Sequence, residues 1–253
     1  MTPERKEQLL QGAAICLEAR RTHKRIANLP AEMQPTSLDE AYFMQDEMIK
    51  AYLPIGGYKI GGPPTDDPFF APIPAAWIAA SGSTLTGHNF RAVECEIAFR
   101  MGKDLPPRAT PYSREEVMDA VASCHPAIEV LEMAFPSKDG VAHFTLFGDM
   151  QQNGGLIYGA AYADWKSLDF AQESVVLTVD GAVVLEKTAS NPAGTDLVRL
   201  LVYLANEGAA RTGGLKKGDL ITTGSWTGNT PVGESSSVDV TFKHAGAVSL
   251  RFA

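Results

Sequence analysis

The run 93–99 constrains this chain more than any other stretch. Val93, Cys95, Ile97 and Phe99 are apolar, and Glu94 and Glu96 fill the positions between the first three of them. A period of two belongs to a β-strand, whose successive side chains point to opposite faces. A strand over 92–101 therefore turns an apolar face to a core and sets two carboxylates side by side on its other face. Like charges so placed repel mildly unless something positive lies between them. Taken alone, the pair is better accounted for by an antiparallel strand with one solvated face than by a cation site.

A third carboxylate bears on that choice. Glu129 lies in the apolar run 127–135, which reads as another strand, and shares a face with Leu131 and Met133. An unpaired charge is costly among such neighbours. Three converging carboxylates would form a hard oxygen cage suited to Mg²⁺ or Mn²⁺, with positions left for water and a chelating ligand. No histidine or cysteine pair has the spacing that zinc ligation uses. Lys59 lies in the short strand 58–60 between glycines. It is either an exposed strand lysine or, beside a cation and an acidic cluster, a general acid or base.

Around these residues the pattern is that of an α+β chain. Thr2-Pro3-Glu4 opens a first helix with Leu10, Ala13, Ala14 and Leu17 on one face. Ser37-x-x-Glu40 is a capping box for a second, striped by Ala41, Met44 and Met48. From Gly56 onward short runs alternate with Gly and Pro. Residues 61–74 carry five prolines and the pair Asp66-Asp67, and read as a loop or lid. A helix follows Ser113-x-x-Glu116 and buries Val117, Ala120, Val121 and Cys124. Asp180-Gly181 joins strands 174–179 and 182–187 in a two-residue hairpin. A helix from about Thr195 turns Leu197, Leu200, Leu201 and Leu204 inward, and strands follow at 220–223, 237–242 and 248–252. The expected architecture is a helical segment, 1–54, packed on a large mixed sheet, 55–253, rolled into a barrel-like core.

With 253 residues, 45% of them hydrophobic, the chain has ample material for such a core. A net charge of −8 argues against nucleic acid or an anionic membrane as partner, and no stretch is long and apolar enough to span a bilayer. Three cysteines without ligand spacing, and a polar N-terminus, point to a reduced, cytoplasmic protein.

Several motifs occur in a telling order: Gly57-Tyr58-Lys59-Ile60-Gly61, the Glu94–Glu96 strand, Pro126-Ala127-Ile128-Glu129, and Gly148-Asp149 with Gly154-Gly155 and Tyr158-Gly159. Asn191-Pro192, Leu215-Lys216-Lys217-Gly218-Asp219 and Thr223-Gly224-Ser225-x-Thr227-Gly228 follow. Together they resemble the 2-keto-4-pentenoate hydratase and 2-oxo-hexenedioate decarboxylase group of the fumarylacetoacetate hydrolase superfamily, over nearly the whole chain from about Ser37. The resemblance implies a rolled mixed sheet of the fumarylacetoacetate hydrolase C-terminal type and a Mg²⁺ or Mn²⁺ site with Glu94, Glu96 and Glu129 as ligands. It implies Lys59 as the acid–base residue, Asp149 and Ser225 at positions lining the pocket, and a homo-oligomer. It implies a small 2-oxo or 2-hydroxydienoic acid as substrate, whose carboxylate and 2-oxo oxygen the cation chelates, so that an enolate is stabilised.

The chain departs from the group's pattern at three places. Gly62-Pro63-Pro64 replaces a Ser or Thr loop, Glu132-Met133-Ala134 replaces an acidic-x-Arg element, and Gly233-Glu234-Ser235 replaces a Gly-Asp. The expected reaction is hydration of a 2-hydroxy-2,4-dienoate, by way of the 2-oxo-3-enoate, to a 4-hydroxy-2-oxo acid in the breakdown of aromatic or related compounds. A decarboxylase would need a further cation for a second substrate carboxylate; only Arg91 and Arg100 flank the glutamate strand. An acylpyruvate-type hydrolase would need a His–Glu pair, and His88, His125 and His143 fit no such spacing. A binding protein that keeps the metal without turnover is the non-enzymatic alternative, favoured by the altered segment 62–74.

Overall fold

The computed structural model describes residues 1–87 and 90–253. Two helices lead, α1 (Pro3–Thr22) and α2 (Leu38–Ile49). Then come strands β1 (Ile55–Gly61), β2 (Phe69–Pro74), β3 (Ile78–Ala80), β4 (Ser83–Leu85) and β5 (Ala92–Met101). After α3 (Arg114–Ala120), β6 (Val121–Leu131), α4 (His143–Gly148) and β7 (Asn153–Tyr158), the hairpin β8 (Ser174–Val179) and β9 (Ala182–Thr188) follows. The chain ends with α5 (Val198–Asn206), α6 (Ala209–Thr212), β10 (Leu220–Thr222), β11 (Thr230–Pro231), β12 (Ser237–Phe242) and β13 (Gly246–Phe252). No helix among the described residues is long and apolar enough to cross a membrane.

The strands form two mixed sheets. One runs β2-β1-β10-β5-β6-β7-β3, with β11 also on β5; the other runs β4-β13-β12-β8-β9. Pairing is mostly antiparallel, with β1/β10, β3/β7 and β13/β4 parallel. The first sheet is open, its outer strands β2 and β3 being unpaired with each other, so no closed barrel forms among the described residues. Val93, Cys95, Ile97 and Phe99 belong, as their alternation predicts, to one buried cluster with residues of β8, β12, β13 and α5. A second cluster joins α1 and α2 to Met133, Ala134, Phe135 and Met150.

Several local signals act as read. Thr2 caps α1, and Ser113 with Glu116 forms a complete capping box on α3. Asp180 and Gly181, at φ 51° and 80°, make the hairpin turn. Three expectations are corrected. Residues 61–74 are not a loop throughout: Phe69–Pro74 pairs antiparallel with β1 as β2. Its prolines are tolerated because β2 is an edge strand, where a missing N–H breaks no central ladder. The helix after Ser113 stops at Ala120, and Val121 and Cys124 belong to β6, whose β-branched and apolar residues pair along β5. Ser37 accepts from the Glu40 N–H, but the Glu40 carboxylate is drawn off to Thr36 and to Arg5 at 2.7 Å, so the second capping box is only half made. That diversion ties α1 to α2.

The parallel register of β1 and β10 requires Gly57: a Cβ there would lie 2.0 Å from the Leu220 carbonyl oxygen, part of a backbone that cannot swing aside as a side chain would. Gly57→Ala is expected to lower unfolding free energy by about 2–3 kcal/mol in denaturant titrations. Gly181→Ala, strained only by its positive φ with no atom near the new methyl, should cost about 1 kcal/mol.

Candidate metal centre

Strand register brings the acidic residues together. In the β5/β6 pair Glu94 lies opposite Glu129, and Glu96 lies two residues along on the same face. One carboxylate oxygen from each of the three comes within 4.8 Å of the others. The face is not wet: Glu96 and Glu129 are buried and Glu94 is half-buried. On the neighbouring strands Lys59 pairs with Thr222, and Thr222 with Ala98 of β5. Both side chains thereby reach the cluster.

Each buried group is partly satisfied. Lys59 Nζ donates to Glu129 Oε1 and, at 3.0 Å, to the Gln151 carbonyl. Asn153 Nδ2 donates to the same glutamate oxygen at 3.3 Å. Glu96 Oε2 accepts from the Thr222 hydroxyl and, at 2.9 Å, from the Gly224 N–H. Among the described residues nothing donates to Glu94, to Glu96 Oε1 or to Glu129 Oε2. Burial pushes the Glu94 carboxyl up to about 7, and the charge of Glu129 adds to that. Glu96 is raised for the same reasons, burial first, then Glu129 and Glu94. Burial pulls Lys59 down, but Glu129, Glu94 and Glu96 outweigh it and hold the ammonium above its ordinary value.

These groups open onto a cavity of about 330 Å³. Its remaining wall includes Ser225, Asn191, Gln151, Phe69 and Phe147, with Lys138 and His143 also on its lining. Ser225 Oγ accepts from the N–H groups of Thr227 at 3.3 Å and Gly228 at 2.9 Å, leaving its own O–H to donate. Asn191 bonds the carbonyls of Thr223 and Gly224, both at 3.0 Å, and so fixes the turn that carries Ser225.

Asp149 does not line this cavity. Its carboxylate is fully buried, paired with Arg20 of α1 at 2.5 Å and accepting from the Ala134 N–H at 2.7 Å. Arg20 also donates to the carbonyls of Glu132, Asp149 and Asn153. It thus grips both ends of the segment 150–152, whose Met, Gln and Gln residues have φ of 52°, 51° and 60°. Left-handed backbone costs roughly 1–2 kcal/mol per non-glycine residue, so this arc persists only because its surroundings impose it. What it presents to the cluster is the Gln151 carbonyl, the second acceptor of Lys59.

Elsewhere, His125 is buried in β6, its ring bonded to Ser123 and to the Gly159 carbonyl, with burial holding its pKa low. His88 lies outside the described residues. Arg91 faces Glu234 at 3.5 Å, and Arg100 lies over Tyr158; neither lines the cavity. Gln151, Asn153 and Thr222 carried no signal in sequence, since none stands in a metal or turn pattern.

The donor set suits a hard divalent cation: three carboxylates with free oxygens and no sulfur or imidazole among them. Asn153 Oδ1, in the carboxamide that bonds Glu129, is a further buried oxygen without a hydrogen-bond partner among the described residues.

Residues 61–252 match the fumarylacetoacetate (FAA) hydrolase C-terminal family. The chain belongs to that family. It is 23% identical to a 2-oxo-hept-4-ene-1,7-dioate hydratase of Escherichia coli, over 93% of this chain and 94% of that one. The 4-oxalocrotonate decarboxylase of Pseudomonas putida G7, solved with magnesium and adipate, superposes with a TM-score of 0.83 at 20% identity, covering 100% of this chain and 99% of that one. A 5-carboxymethyl-2-hydroxymuconate delta-isomerase of Mycobacterium smegmatis matches with a TM-score of 0.58 at 19% identity, over 79% of this chain and 78% of that one. The family member thus has the fold of the decarboxylase over its full length, with the acidic triad in the sheet's interior.

Two outcomes follow for the metal-free protein. Glu94 holds its proton more tightly folded than unfolded, since its folded value of about 7 exceeds the ordinary 4.5. The stability this contributes is complete below the ordinary value and lost as pH rises through the folded one. The melting temperature should therefore fall between pH ~5 and ~8, and added Mg²⁺ should reverse the fall by occupying the ionised site. Glu96→Ala should abolish Mg²⁺ binding in calorimetric titration while leaving the circular dichroism spectrum intact; undiminished affinity would refute Glu96 as a ligand.

Proposed function

We propose that this protein is a divalent-metal-dependent hydro-lyase that adds water to a 2-hydroxy-2,4-dienoate, giving a 4-hydroxy-2-oxo acid. The reading rests on one observation: a buried lysine ammonium shares Glu129 with a three-carboxylate cluster at the wall of a cavity. We assign Glu94, Glu96 and Glu129 as ligands of Mg²⁺ or Mn²⁺. A bound dication would polarise the 2-oxo group and offset the carboxylate charge.

Lys59 handles the proton. It touches the cluster through Glu129 and is held in place from behind by the Gln151 carbonyl. As an ammonium it can deliver a proton to the terminal carbon of the dienol while the 2-hydroxyl proton is lost, giving the 2-oxo-3-enoate. Water then adds at C4 as C3 is protonated, so that atoms balance over the two steps. Ser225, its oxygen already accepting from two backbone N–H groups, donates its O–H to a substrate oxygen. Asp149 acts at one remove, by anchoring the arc that positions Lys59.

Decarboxylation of a 2-oxo-enedioate is the second reading. Lys138 and His143, on the cavity lining, favour it by offering groups to a second carboxylate. The free, buried cysteines suit a reducing compartment, and we place the enzyme in the cytoplasm.

With Mg²⁺, 2-hydroxypenta-2,4-dienoate should lose its ultraviolet absorbance and yield the 4-hydroxy-2-oxo acid. Carbon dioxide released from a hexenedioate at a higher kcat/KM would move the assignment to decarboxylase, and no turnover of either would leave a binding protein. Lys59→Ala should keep its Mg²⁺ affinity and lose about 10²–10⁴-fold in kcat; an unchanged kcat would remove its acid–base role.

A further inference from the structure

One polar group at the cavity is unused by this account. Gln151 lines the cavity and is 7% exposed, yet its side-chain Oε1 is buried without a hydrogen-bond partner among the described residues. A buried amide oxygen left unpaired is costly, and one on the wall of a cavity calls for an explanation. The backbone makes the placement more telling. Gln151 sits at the middle of three consecutive left-handed residues, a conformation glycine or asparagine would enter more readily. Arg20 holds both ends of that arc, through Asp149 and the Asn153 carbonyl. The Gln151 carbonyl explains the arc's link to Lys59, but a carbonyl needs no glutamine. Its carboxamide is the part without an occupation.

We propose that Gln151 is a ligand-contacting specificity residue, whose carboxamide oxygen accepts a hydrogen bond from the oxygen that the reaction adds. Before addition that oxygen belongs to water; after it, to the 4-hydroxyl of the product. One acceptor serves both states. The group is neutral, so it orients an O–H without adding a fourth negative charge beside Glu94, Glu96 and Glu129. A carboxylate at this position would repel the same cluster. The inference rests on the hydration reading and adds to it the residue that recognises the new hydroxyl. It also distinguishes the product from its deoxy analogue, because a site built around an O–H discriminates against ligands lacking it.

The test is a pair of calorimetric titrations of the Mg²⁺-loaded protein, with 4-hydroxy-2-oxopentanoate and with 2-oxopentanoate, which differ only in that hydroxyl. The native protein should bind the hydroxy acid about 5–10-fold more tightly. In Gln151→Ala the ratio should fall to about one, with Mg²⁺ affinity and 2-oxopentanoate affinity within ~2-fold of native. Gln151→Asn guards against misfolding: asparagine suits left-handed backbone and only withdraws the carboxamide by one methylene. It too should lose the preference. A folded Gln151→Ala or Gln151→Asn protein that keeps the native ratio would overturn the assignment while leaving the 2-oxo acid reading in place. Native protein that binds neither acid would overturn both.

Discussion

Three carboxylates share one small buried space, and the structure is organised around that charge. With the oxygens of Glu94, Glu96 and Glu129 within 4.8 Å of one another, each ionised pair repels by roughly 3 kcal/mol at an effective dielectric near 20. Lys59 is the ammonium in direct contact, and it relieves only part of the repulsion. The sheet makes the crowding unavoidable. The β5/β6 register fixes Glu94 opposite Glu129, and sliding by one residue would carry Val93, Cys95, Ile97 and Phe99 out of the core. The apolar core thus enforces a charge arrangement that a dication relieves.

A second buried ion pair carries that order out to the N-terminal helix. Arg20 and Asp149 are almost wholly removed from water, and losing either partner would strand the other. Arg20 spends its remaining donors on the carbonyls of Glu132, Asp149 and Asn153, so the end of α1 defines the path of the chain leading into β7. This bears on the arginine that the family resemblance led one to expect after Glu129. The segment Glu132-Met133-Ala134 supplies none, but the guanidinium of Arg20 lies against that segment, while Asp149 takes the Ala134 N–H. Through Arg20, α1 is therefore tied to the arc whose Gln151 carbonyl holds Lys59 beside the carboxylates.

What the sequence disclosed depended on the range of the interaction. Period two placed β5 at its true bounds because a sheet face is a local pattern, and Asp180-Gly181 named its hairpin because turn dihedrals are set by the two residues themselves. Glu129 stood out as a charge in an apolar run. The end of α3 was misread, since Val121 and Cys124 continue a helical stripe while pairing with β5 settles the matter, and that contact is distant in sequence. Strands β3, β4, β7 and β11 escaped notice for the same reason, being short segments stabilised by partners far along the chain. Met150, Gln151 and Gln152 carry no turn chemistry at all. Their left-handed arc is imposed from outside by an arginine more than a hundred residues earlier.

The segment between β1 and β3 changes the view of how the cavity selects its ligand. Expected as a lid, its second half is a strand hydrogen-bonded along β1 from Gly61 to Ile55. Swinging it away would break that ladder and expose Phe70 and Ile73, both buried. It therefore acts as a fixed wall, with Phe69 packed edge-on against Phe147 at 4.8 Å. The lining of the cavity thus combines two aromatic rings in mutual contact with a charged cluster and an amide. Whatever this wall selects, it selects by a shape the β1/β2 ladder holds fixed rather than by closing over its ligand.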